Sequence, residues 1–168
     1  MNDIETIIKR VQNSPDCVLY PPSDTPIVKQ EHVLPEDVLA FYQLCGGGML
    51  YDQSEYLLQL VPPGRFVPAS PVMLVGLSEE QLKASKDEIH WSWYIFGEGQ
   101  SGEHILIDLA LERLGRYYYS FWDRHAMIGC MPVIANSFTD LLVRMFENQG
   151  QGWYWEQPDF EPLGDAFD

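Results

Sequence analysis

Apolar residues recur along the chain with two different periods. Ile4, Ile7, Ile8 and Val11 fall at i, i+3, i+4 and i+7, which predicts an opening amphipathic helix stopped by Asn13-Ser14-Pro15. Val38, Phe41, Tyr42 and Cys45 predict a second helix. Leu34-Pro35-Glu36-Asp37 opens it, with proline at the first helical position and acids in the first turn. Gly46-Gly47-Gly48 is expected to end it by supplying a residue of positive φ. Ser78-Glu79-Glu80-Gln81 is a capping box for a short helix to about Lys86. Phe138, Leu141, Leu142, Met145 and Phe146 predict a last helix between Ser137 as N-cap and Asn148-Gln149-Gly150.

Between the helices the period shortens. Met49 to Tyr51, Tyr56 to Val61 and Pro71 to Gly76 read as short strands, the second broken by Pro62-Pro63-Gly64. The stretch from Trp91 to Tyr119 reads as three strands in succession. Trp91 to Phe96 is aromatic and β-branched. His104 to Leu109 alternates, with Ile105, Ile107 and Leu109 on one face and His104, Leu106 and Asp108 on the other. Arg116 to Trp122 is again strand-like. The short connections predict an antiparallel meander, since βαβ crossovers need a dozen residues or more. Asp123 to Pro132 reads as a loop with a short edge strand near Ile128. No internal repeat appears. The expected fold is a single α+β domain over residues 1–150, a mainly antiparallel sheet with helices. An extension over 151–168 follows, its aromatics Trp153, Tyr154 and Trp155 on the body and its acids forming a mobile end.

The stretch Gly97-Glu98-Gly99-Gln100-Ser101-Gly102 matches G-x-G-x-x-G. A dinucleotide fingerprint places that loop between a strand and a helix, whose N-terminus receives the pyrophosphate. Here a strand follows, and Glu98 and Glu103 would repel phosphate, so the loop is read as a hairpin turn.

Charge narrows the function classes. The 168 residues carry 25 acids against 10 bases, a formal charge of −15. Nucleic acid and anionic membranes both recruit basic patches, so neither is an expected partner; a basic protein is. The start, MNDIETIIKR, does not read as a signal peptide, and no run approaches a membrane span. Three widely spaced cysteines, Cys17, Cys45 and Cys130, are expected as free thiols in a reducing cytoplasm.

Catalytic signals are sparse. His32, His90, His104 and His125 have no partner at metal-ligand spacing, and CxxC, HExxH and G-x-S-x-G are absent, so neither a metal nor a cofactor is expected. His104 and Asp108, on one strand face, are the best candidate acid/base pair. The aromatics Trp91, Trp93, Tyr94, Tyr117, Tyr118, Tyr119 and Trp122 occupy both parities of their strands. Either both sheet faces are covered, or one exposes aromatic surface flanked by acids, a protein-binding composition.

The order of these pieces resembles the SUKH superfamily, which includes bacterial immunity proteins and a fungal cell-wall-synthesis regulator. The resemblance rests on Leu34-Pro35 leading Asp37-Val38-Leu39-Ala40-Phe41-Tyr42 and Cys45-Gly46-Gly47-Gly48. It continues in Trp93-Tyr94-Ile95-Phe96-Gly97, the Gly99 to Gly102 turn and Ile105-Leu106-Ile107-Asp108. It ends in Ile134-Ala135-Asn136-Ser137-Phe138 and the helix behind it. Cys45 stands where family members often have asparagine, and the tail after Gly150 lies outside the pattern. The resemblance implies a curved sheet wrapped by helices, no catalytic set, and, for bacterial members, binding and neutralisation of a cognate protein toxin. The expected contact residues are Trp91, Trp93, Glu98, Glu103, Asp108, Tyr119 and Trp122. Two other readings stay open: an adaptor or regulator without a toxin, and an enzyme acting on a small polar ligand through His104 and Asp108.

Overall fold

The aromatic run at the middle of the chain becomes the central strand of a seven-stranded antiparallel sheet whose spatial order is its chain order. The computed structural model describes residues 3–168. Its strands are β1 (Val18–Leu19), β2 (Gly48–Leu50), β3 (Leu58–Leu60), β4 (Trp93–Glu98), β5 (His104–Asp108), β6 (Tyr117–Ser120) and β7 (Val133–Ala135). The helices are α1 (Ile4–Asn13), α2 (Glu36–Leu44), α3 (Ser70–Met73), α4 (Glu79–Ala84) and α5 (Phe138–Asn148). The α+β class and the meander expected from the short connections are both present.

The helix ends follow local chemistry. Asp3 caps α1 by accepting from Thr6 N at 2.8 Å, and Ser78 and Gln81 close the expected capping box on α4. Ser137 caps α5 by accepting from Asp140 N. Asp37, in the first turn of α2, also accepts from Thr139 N at 3.0 Å, which ties the N-termini of α2 and α5 together. The glycines after α2 serve a different purpose from the expected cap. The helix ends on extended Cys45, and the positive φ (101°) falls later, at Gly47. A Cβ there would sit 2.6 Å from Leu60 O, so glycine is needed where the chain turns close against β3.

Both sheet faces are covered. On one, α2 and α5 pack around Phe96, whose ring lies 4.8 Å from Phe138, 6.1 Å from Phe41 and 5.5 Å from Tyr117, and α1 packs against both helices. The β4–β5 register slips between Ile95 and Gly97, a bulge at Phe96 that breaks strict alternation. On the opposite face Trp93 meets Tyr118 at 5.0 Å, His125 at 5.6 Å and Phe167 at 5.9 Å. That cover consists of loops, the short helix α3 through Ser70, and the C-terminal segment.

Several expectations are corrected. Pro71 to Gly76 is not a strand: Pro71 lies in the first turn of α3, where its missing N–H costs nothing. The residues around Ile128 are turns, and the strand falls later, at β7. Trp91 and Ser92 lie in a 3-10 turn leading into β4.

The tail departs furthest from expectation. Trp153, Tyr154 and Trp155 pack on the body as predicted, with Tyr154 donating its hydroxyl to Ile134 O at 2.6 Å. The acidic end, however, folds back along the sheet. Val133 N donates to Gly164 O (2.8 Å), Leu163 N to Val133 O (3.0 Å) and Ala166 N to Met131 O (2.9 Å). Residues 163–166 therefore extend the sheet beyond β7, with Pro132 opposite Asp165. Asp165 turns inward and accepts from Met131 N at 2.9 Å and Gly129 N at 3.3 Å.

Removing residues 163–168 strips these bonds and uncovers Trp93. The truncated chain is expected to lose about 2–4 kcal/mol in urea unfolding, from several hydrogen bonds and the apolar burial of Ala166 and Phe167. An unchanged midpoint would mean that the segment does not hold the sheet.

Candidate protein-binding site

An antiparallel meander sends alternate connections to alternate ends of the sheet. The β2–β3 connection (51–57), the β4–β5 hairpin (99–103) and the β6–β7 loop (121–132) thus share one end. The turn after α5 crosses the same end: Tyr56 meets Trp153 at 5.6 Å, and Trp155 meets Tyr119 at 5.1 Å. These four segments carry Asp52, Glu55, Glu103, Asp123 and Glu156 against one base, Arg124. The Arg124 guanidinium lies over the rings of Phe121 (4.8 Å) and Tyr119 (5.7 Å). The G-x-G-x-x-G match is the hairpin itself, with Glu103 Oε2 accepting from Ser101 N at 2.7 Å.

The expected contact residues separate into three groups. Glu98, Glu103 and Trp122 lie on segments at this end, Trp122 exposed and Glu98 paired with Arg65 at 2.9 Å. Trp91 lies elsewhere, in a cleft of about 660 Å³ formed by the β3–β4 connection, residues 29–32 and residues 112–113. Its indole donates to Ser85 Oγ at 3.1 Å, and the Lys29 ammonium sits 5.3 Å from its ring. Four bases and four acids line that cleft, so its charge is balanced. Trp93, Asp108 and Tyr119 are buried and present nothing to a partner, which corrects their expected role. The tail covers the two aromatics, Phe167 packing on Trp93 and Trp155 on Tyr119.

Asp108 has its own explanation. Its carboxylate, fully buried, accepts from Tyr118 OH (2.6 Å), Ser92 Oγ (2.7 Å), Arg113 Nε (2.9 Å), Ala110 N (3.0 Å) and Trp93 Nε1 (3.1 Å). It is a satisfied structural anion, and His104 is not among its partners. His104 instead contacts Gly102 O at 2.9 Å, so the expected acid/base pair does not form.

A second buried polar cluster was invisible in the sequence because its members are far apart. Ser70 Oγ lies 2.6 Å from His90 Nδ1 and 3.2 Å from His125 Nε2. Ser120 Oγ lies 3.3 Å from His125 Nδ1, and His90 Nε2 lies 3.3 Å from Glu88. One assignment satisfies every ring nitrogen with both imidazoles neutral. Ser120 donates to His125, His125 to Ser70, Ser70 to His90, and His90 to Glu88. Burial disfavours the imidazolium at His90 and holds His125 down at about 3, the latter also opposed by charge on His90 and His104. Ser70 is fully buried, so this serine–histidine pair meets no substrate. No cluster of His, Cys, Asp and Glu among the described residues is arranged to hold a metal ion.

The profile of the SMI1 / KNR4 family (SUKH-1) matches residues 29–144, more than half of the chain. The chain belongs to this family. It is also similar to immunity protein YokJ of Bacillus subtilis (strain 168), 39% identical over 165 residues, 98% of this chain and 96% of that protein. That similarity spans α1 and most of the tail, both beyond the SUKH-1 match. No solved structure matches the chain. Among the described residues no helix is long and apolar enough to cross a membrane.

Two adjacent tyrosines test the interior. Tyr118→Phe removes a donor from buried Asp108 and is expected to cost about 1.5–3 kcal/mol in chemical unfolding. The Tyr117 hydroxyl is buried without a partner among the described residues. Tyr117→Phe is therefore expected to be neutral or stabilising by about 1 kcal/mol. Equal losses at both sites would contradict the hydrogen-bond assignment.

The histidine cluster sets a pH dependence. Between about 3 and 6.5 at His125, the unfolded chain holds a proton that the folded chain refuses, so stability falls as pH falls through this window. Thermal melts from pH 7 to pH 5 should show a falling Tm, with a limit of about 1.4 kcal/mol per pH unit for one group. The slope should shrink in His125→Gln; a wild-type Tm that is flat or rises toward pH 5 is the contrary result.

Proposed function

We propose that this chain is an immunity protein, a non-catalytic cytoplasmic binder that neutralises a cognate protein toxin. The observation that carries the reading is the 39% identity to immunity protein YokJ across 98% of the chain. The chemistry supports it. An immunity protein needs a surface that finds and holds its toxin, and the acid-lined sheet end has the charge to attract a basic protein. The polar groups that resemble catalytic sets are internal, Asp108 saturated by five donors and Ser70 sealed beneath its helix.

The test is co-expression with the product of the gene directly upstream, scoring growth and co-purification. Rescue of growth together with a stable complex is expected, and binding should weaken as salt rises because exposed charges are screened. A toxic upstream product that stays toxic and unbound beside this chain would count against the pairing.

A further inference from the structure

The β6–β7 loop exposes three large apolar side chains at the acid-lined sheet end: Trp122 (68% exposed), Met127 (51%) and Ile128 (80%). The loop around them is fixed rather than slack. His125 points inward between Ser70 and Ser120. Ala126 takes the left-handed conformation, φ 61°, which an L-residue adopts at a cost of about 1 kcal/mol and which reverses the chain here. Turns close from Phe121 to Arg124, Arg124 to Met127 and Met127 to Cys130. From outside, Asp165 of the tail holds the amides of Gly129 and Met131. A rigid loop that displays a tryptophan loses little conformational entropy on binding.

We propose that this loop, with the acids around it, is the docking surface for a basic protein, and that Trp122 is its anchor. Trp122 enters an apolar socket on the partner, Met127 and Ile128 extend the contact, and Asp123, Glu55 and Glu103 meet a cationic rim. Charge selects the occupant. A second copy of this chain would bring like charges together, whereas a basic partner is drawn in by the same field. The inference rests on the immunity reading and assigns it a surface.

The experiment uses the full chain and the upstream gene product of the co-expression test, with affinity, association rate and growth rescue measured at two salt concentrations. Trp122→Ala is expected to weaken binding by about 30-fold or more, the loss typical of a central aromatic anchor, with an unchanged Tm. The exposed pair Glu55→Lys/Asp123→Lys is expected to slow association about tenfold and flatten its salt dependence. The control pair Glu79→Lys/Glu80→Lys, on exposed α4 in the β3–β4 connection at the opposite end, should do neither. Full affinity in Trp122→Ala, or an equal loss in the α4 control, overturns this surface while leaving the immunity reading standing. A wild-type chain that neither binds nor rescues overturns both.

Discussion

Everything on the loop-covered face of the sheet depends on one desolvated carboxylate. Asp108, at the end of β5, draws together the 3-10 turn before β4 through Ser92, β4 itself through Trp93, β6 through Tyr118 and the β5–β6 connection through Ala110 and Arg113. A buried charge of this kind tolerates no missing partner, because each lost donor leaves anionic oxygen facing low dielectric. Its demand fixes the register of three strands together with the turn that carries His90. His90 in turn joins Ser70 and His125, so an electrostatic requirement in the sheet is passed through neutral hydrogen bonds to the loop beyond β6.

Much of the architecture was legible because it follows from local rules. The 3.6-residue period located α1, α2 and α5, a capping box located α4, and short turns implied the meander. What escaped were features decided by distant neighbours. Pro71 to Gly76 is apolar enough to suit a strand or a buried helical turn, and periodicity alone does not separate them. β1, with two residues, is too short to leave a pattern. Alternation placed Asp108 and His104 on one face correctly but could not tell that the face was covered. That depended on Trp93, Tyr118 and Arg113, which only strand pairing and a turn bring to it.

The proposed surface was legible only in part. Acidic and aromatic composition points to Glu98, Glu103 and Trp122, and the meander carries all three on segments at one end of the sheet. The same composition points to Trp93 and Tyr119, which are interior, because aromatic residues suit both a core and an interface. No sequence pattern singles out Met127 and Ile128. Their stretch reads as an edge strand, and nothing local announces that His125 turns inward and leaves its neighbours facing outward. The fold separates the two uses of aromatic residues by placement, burying those in strands on both faces and exposing Trp122 in a loop, not by residue type.

The C-terminal strip along β7 has a colloidal consequence. An open meander has two edges, each a row of unpaired amides on which another chain can grow. At one edge β1 is only two residues long, a poor template for extension. At the other, residues 163–166 cover the row in cis and bring Glu161, Asp165 and Asp168 with them. The molecule thus guards against fibrillar self-association with a piece of its own backbone, and the acids on that piece add like-charge repulsion between copies.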